Sequence, residues 1–222
     1  MTKVQRGTVV EQGVVLLRDR ILRNEMVPGT PVTEEAMAAD IGISRPTMRE
    51  VLNTLMLQGL LTRNPKTRIL EVTTLSADEV REIYRARTVL ELAGVEAAAT
   101  LDDAELRQLE STVDDMARAV QAADTEALVD ADSRSHAVTV GFLHSRYLSE
   151  LHAGLMARLN LALNQVETSD ARDETELVVL HRQYCDLVLR RETVAAQETL
   201  RTRLAEAEEL VLASAFVTAP PR

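Results

Sequence analysis

The chain has 222 residues, 45% of them hydrophobic and 27% charged, with a formal net charge of −10. This excludes disorder along the whole length and leaves room for two domains. Aromatics make up 2%, Trp is absent, and Gly (eight) and Pro (six) are few, so long helices around an aliphatic core are expected rather than a β-sandwich or barrel. A single cysteine, Cys185, excludes an internal disulfide framework and a thiolate-cluster metal site.

The N-terminal residues lack the apolar run of a signal peptide, and no stretch approaches about 18 apolar residues in a row. The expectation is a cytoplasmic protein with no membrane partner. The charge is unevenly spread. Residues 1–75 hold ten Lys or Arg against eight Asp or Glu, and the remainder holds fifteen against twenty-seven. A basic module joined to an acidic one is a pattern of nucleic-acid-binding chains; chance sampling of surface charge gives the same pattern.

Taken in order, Val10, Val14, Leu17 and Ile21 recur at helical spacing and predict a helix over Val9 to Arg23. Pro28-Gly29 marks a turn. Thr33 reads as the N-cap of a second helix whose Glu34 and Glu35 suit the positive end of its dipole. Ile41-Gly42-Ile43 makes a tight connection. Ser44 then caps a third helix that tolerates Pro46 in its first turn and runs to about Gln58, where Gly59 stops it. Leu60 to Arg63 and Arg68 to Val72 are short, branched and alternating, with Asn64-Pro65-Lys66-Thr67 between them, which predicts a β-hairpin. Ser76 and Glu79 form a capping box for a further helix. From there the reading is helical near 77–99, 102–122, 124–144, 147–168, 173–190 and 192–216, with a fraying tail. The fold class is therefore mainly α: a winged helix-turn-helix with a small hairpin over 1–73, a linker at 74–76, an all-helical bundle over 77–217 and a tail at 218–222.

A helix fits the major groove, where base edges carry a readable donor and acceptor code. In the third helix Met48, Val51, Leu52 and Leu55 line a flank to be buried, while Arg45 and Arg49 lie one turn apart on another. Those two arginines are the candidate base readers. Ser44, Thr47 and the helix N-terminus suit a phosphate, and Lys66 and Arg68 on the hairpin are placed for the backbone or a minor groove. An isolated Arg pair is more often solvated surface charge; its place early in the third helix is what points to double-stranded DNA.

Pro28-Gly29, Thr33-Glu34, Ala38 to Gly42, the run from Ser44 to Leu52 and Gly59-Leu60-Leu61 resemble the GntR family of bacterial transcription regulators. The helical remainder is similar to the effector-binding domain of the FadR subfamily, with Arg87 and Glu91 matching its early Arg-x-x-x-Glu. The resemblance spans nearly the whole chain. It implies a homodimer on a palindromic operator, most simply a repressor, controlled by a small carboxylate or acyl effector. In the wing, Lys66, Thr67 and Arg68 stand where the family often has a Gly near the tip.

Asp132 and His136 are four apart on one helix face, and His181 lies on a later helix. An Asp, two His and open positions suit one divalent transition metal such as Zn, Ni or Mn. The resemblance implies an Asp, His, His, His set, of which Asp132, His136 and His181 match the first three while Arg203 takes the place of the fourth. Ser135 and Ser145 depart from the aromatic and the Asn usual nearby. Three readings stay open. Arg203 and Arg87 bind the effector's acid in a metal-free pocket; or three ligands hold a metal beside Arg203; or these are ordinary polar residues between helices. Glu91 reads as a helix-stabilising partner of Arg87, His144 and His152 as surface or interface residues, Cys185 as buried and inert, and Tyr184 as a candidate for the cavity wall. Rival functions are a DNA-binding protein without an effector and a metal-dependent enzyme built on the bundle. No nucleophile motif, Gly-rich phosphate loop or Glu-x-x-His supports the latter, and a non-enzyme is expected.

Overall fold

The computed structural model describes residues 8–163 and 174–216. It divides into two compact units: one takes the chain up to Ser76 together with a short segment that begins at Ala157, and the other begins at Ala77.

In the first unit, α1 (Val9–Leu22) opens on a capping box in which Thr8 and Glu11 satisfy each other's backbone N–H. Strand β1 (Pro31–Val32) precedes α2 (Glu34–Ile41), whose N-cap Thr33 accepts a hydrogen bond from the Ala36 N–H. The turn to α3 (Arg45–Leu57) passes through Gly42 at φ 73°, a left-handed position that glycine takes without a Cβ clash. Ser44 caps α3 by accepting from the Thr47 N–H, and Pro46 sits in its first turn, as expected from the sequence.

The wing is β2 (Leu61–Arg63) against β3 (Leu70–Val72). The sequence reading expected only this hairpin. β1 adds to it, giving an antiparallel sheet in the order β1-β3-β2, with Pro31 opposite Glu71 and Leu61 opposite Val72. Val14, Leu17 and Ile21 of α1 meet Met48, Val51, Leu52 and Leu55 of α3 in a core that also takes in Ala38, Leu60, Val72 and Leu161. The α1 and α3 residues among them are positions that helical spacing assigned to the interior, Val10 of the same set is only partly buried, and burial of this core is the main force holding the small unit together.

The regular elements of the second unit, among its described residues, are all helices: α4 (Ala77–Ala98), α5 (Asp103–Ala122), α6 (Thr125–Gly141), α7 (Arg146–Leu163), α8 (Glu174–Leu189) and α9 (Thr193–Ala215). The end of α7, from Ala157, clusters with the first unit. Helix α5 carries its own capping box, Asp102 with Glu105, and buries Leu106, Leu109, Val113 and Met116. Helix α4 packs on α6 and α9, α5 on α6 and α8, and α8 on α9. At Gly94 the approach of α4 to α6 is so close that a Cβ would lie 2.0 Å from the Thr139 carbonyl oxygen. Helix α6 ends at Gly141 rather than near 144, and His144 lies in the connection at φ 49°. The expected helical residues 164–168 and 173 and the tail at 218–222 lie outside the described residues. No helix among the described residues is long and apolar enough to cross a membrane.

Candidate nucleic-acid interface and effector site

Arg45 and Arg49 are exposed on the first turns of α3, with Met48 buried between them in sequence. Thr47 is turned back on its own helix start, its hydroxyl 2.8 Å from that of Ser44. Arg49 is engaged: Nε donates to Glu34 Oε1 at 2.8 Å and Nη2 to Glu34 Oε2 at 2.9 Å. The sequence reading gave Glu34 only a helix-dipole role, because nothing local announces a partner 15 positions away.

Lys66 and Arg68 are exposed at the wing tip. Asn64 builds that tip, with Oδ1 accepting from the Lys66 and Thr67 N–H groups and Nδ2 donating to Glu71. Arg63 donates to the Arg68 carbonyl at 2.7 Å. Arg68 has φ 63°, so the wing adopts the left-handed turn that a glycine would take and places a long cation there instead.

In the second unit, α6 brings Asp132 and His136 to one face and α8 brings His181 to meet them. Asp132 Oδ1 lies 2.9 Å from His181 Nε2 and 4.0 Å from His136 Nε2, and one donor atom from each residue lies within 4.8 Å of the others. Both rings are oriented from behind. His136 Nδ1 lies 2.6 Å from Glu91 Oε2, and His181 Nδ1 donates to the Leu177 carbonyl at 2.9 Å. Burial is the strongest influence on His136 and lowers its pKa despite Glu91, so the neutral ring donates from Nδ1 and keeps its Nε2 lone pair. For Asp132, burial works the other way, but the His181 hydrogen bond, the two imidazoles facing it and the Arg203 guanidinium hold the carboxyl well below its usual range.

His136 Nε2, His181 Nε2 and a carboxylate oxygen thus face one point, the donor set that a divalent metal would take on displacing the proton that His181 Nε2 gives to Asp132, and each ring is steadied through its other nitrogen. Asp132, His136 and His181 fit such an ion. Arg203, the fourth family position, is buried with Nη2 2.9 Å from both ring nitrogens of His181. An atom equidistant from both at that range lies over the ring rather than along either lone pair. The guanidinium is therefore a charged neighbour of the three donors and not a ligand.

Arg87 and Glu91 make the i,i+4 pair the sequence suggested, at 2.9 Å, but it is a buried pair and not a surface one. Arg87 also stacks 5.2 Å from the Tyr84 ring centroid. Glu91 is shared further: His152 on α7 places Nε2 3.2 Å from Glu91 Oε1. Burial alone would push the Glu91 carboxyl up, but the His136 ring and the Arg87 guanidinium facing it hold it well below the usual carboxylate range. The surface role expected for His152 is thereby corrected: the residue is 1% exposed. His144 is exposed and faces Glu105 at 2.8 Å. Tyr184 is buried with its hydroxyl 3.1 Å from Thr139 Oγ1, and Cys185 is buried.

Residues 11–70 match the profile of the bacterial regulatory proteins of the gntR family, and residues 82–206 match the FCD domain. An uncharacterised HTH-type transcriptional regulator of Bacillus subtilis, YdhC, is 30% identical over 187 residues, covering 82% of this chain and 81% of the relative. A GntR-type structure from Rhodococcus sp. RHA1 superposes with a TM-score of 0.81 at 23% identity, over 94% of this chain and 99% of that one. The E. coli protein McbR/YncC superposes with a TM-score of 0.76 at 18% identity, over 93% and 98% of the two chains. Both structures share the fold.

Proposed function

The chain belongs to the GntR family of bacterial regulatory proteins and carries an FCD domain, and from that premise we propose that it is an effector-controlled repressor of the FadR subfamily rather than an enzyme. The observation that carries the DNA assignment is α3: a helix with four buried apolar residues on one side and Arg45 and Arg49 exposed at its first turns. In this reading Arg45 and Arg49 meet base edges, Ser44 and Thr47 lie at the phosphates beside the helix N-terminus, and Lys66 and Arg68 grip the backbone from the wing. A homodimer presents two such helices to the half-sites of a palindromic operator.

The effector is a small carboxylate or acyl compound whose acid group pairs with Arg203, since a guanidinium fork matches a carboxylate. The structure ties Arg87 to Glu91 and Tyr84, which favours Arg203 as the anchor and gives Arg87 the task of holding Glu91 ionised behind His136. Asp132, His136 and His181 hold a divalent metal in this reading, and when bound it would supply a second positive centre for the same acid. Arg203 against His181 also favours the alternative in which the guanidinium is the only cation at the effector, because a fixed positive charge opposes a dication.

Binding to duplexes selected from a random-sequence library tests the DNA assignment. Arg49→Ala is expected to lose about 10- to 100-fold in affinity for a selected duplex, with the helical content unchanged by circular dichroism. Unchanged affinity would remove α3 as the reader. Arg203→Ala should leave that affinity intact and abolish its response to candidate acids; equal loss of both would give Arg203 a purely structural role. Elemental analysis of untagged protein after incubation with zinc, nickel or manganese separates the two effector readings: about one equivalent per chain supports the metal, and none supports Arg203 alone.

A further inference from the structure

The face that α3 offers to DNA has a carboxylate among its cations. Glu34 is the first residue of α2, and it grips Arg49 through two parallel hydrogen bonds of 2.8 and 2.9 Å. The bond to Arg49 is the chief reason its carboxyl stays below the usual range, and the charges of Arg45 on α3 and Arg63 on β2 act on it in the same sense. A negative group among three arginines is the opposite of what a phosphate-binding surface needs.

A guanidinium has five N–H donors in a rigid fork. Glu34 occupies the Nε–Nη2 edge of Arg49, which leaves the Nη1 side and the second Nη2 hydrogen to another acceptor pair. Holding one edge fixes the plane of the other, so less side-chain freedom is lost when that edge meets a base. The same grip weakens Arg49 toward phosphate, because a guanidinium already balanced by a carboxylate neutralises little phosphate charge and so displaces few of the counterions condensed on DNA.

We propose that Glu34 is a specificity-determining residue, which aims Arg49 at a base edge and keeps the cationic face from settling on backbone phosphate alone. This rests on the assignment of α3 as the DNA reader.

The test compares the full-length wild type with Glu34→Gln, Glu34→Asp and Arg49→Ala on two probes: a duplex selected from a random library by the wild type, and a mixed-sequence duplex of equal length. Glu34→Gln keeps the size of the side chain but removes its charge and one of its two acceptors. It is expected to bind the mixed-sequence duplex about threefold or more tightly, with the plot of log affinity against log salt steeper by about one unit. Its preference for the selected duplex over the mixed one should fall about tenfold. Glu34→Asp, charged but shorter, should keep mixed-sequence binding weak while losing part of the preference.

A Glu34→Gln protein with wild-type salt dependence and preference would reduce the pair to a surface contact and overturn the proposal. Equal weakening on both probes would do the same, by showing a structural role. Arg49→Ala separates the two levels of failure. If it binds as the wild type does, the reading of α3 falls and the role of Glu34 with it. If it loses the selected duplex while Glu34→Gln changes nothing, only the proposal falls.

Discussion

Arg68 occupies a left-handed backbone position at φ 63° on the tip of the wing, which costs a residue with a Cβ about 1 kcal/mol. Arg68→Gly is therefore expected to raise the melting temperature slightly while weakening DNA binding, and Arg68→Ala to weaken binding without the gain in stability. Calorimetry and titration of a selected duplex read the two effects separately. Burial pushes the Cys185 thiol up to about 12, so the folded protein should resist alkylation at pH 8 and react once denatured; rapid labelling of native protein would contradict that burial. Residue-level features were legible where they are local. Thr33 and Ser44 announce themselves as caps because their acceptors serve an N–H three residues on. Glu34 with Arg49, His136 with Glu91 and His152 with Glu91 join residues 15, 45 and 61 positions apart, and no periodicity or spacing rule reaches across such distances. The departure at the wing is visible in the sequence as a missing glycine, but the left-handed backbone that Arg68 keeps there is set by the turn that Asn64 builds and not by Arg68 itself.

At the level of elements, helix periodicity revealed α1, α3 and the long helices of the second unit, because each carries enough apolar positions to define a face. The two-residue β1 is too short to alternate, and it exists only because β3 offers it an edge. The packing of α4 on α6 is set by a missing side chain. With Gly94 replaced by Ala, the new Cβ would meet the Thr139 carbonyl, a backbone group that cannot rotate away. Gly94→Ala is expected to cost about 1–3 kcal/mol in chemical denaturation. It should also disturb the effector response, since α4 carries Glu91 and α6 carries Asp132 and His136. Wild-type stability would mean that the helices separate there at little cost.

At the level of the whole molecule, the excess of acidic residues lies after residue 75 and the slight excess of basic ones before it. Such a chain should favour DNA through its first part only, and affinity should fall steeply with salt. Sedimentation is expected to show a particle of twice the 24.5 kDa chain, as a two-fold operator requires; a monomer at micromolar concentration would exclude the palindrome reading. The Glu91 carboxylate draws together α4, α6 and α7, because its partners Arg87, His136 and His152 sit on those helices and the group itself is 0% exposed. Loss of His136 or His152 leaves a buried carboxylate oxygen short of a hydrogen-bond partner, and Glu91→Gln, which strands the charge of Arg87, should cost about 3–5 kcal/mol. These three helices have no inexpensive way to come apart singly. Amide hydrogens flanking Glu91, His136 and His152 should therefore exchange with solvent in one shared opening event, at the same rate and with the same denaturant dependence, as a single cooperative block.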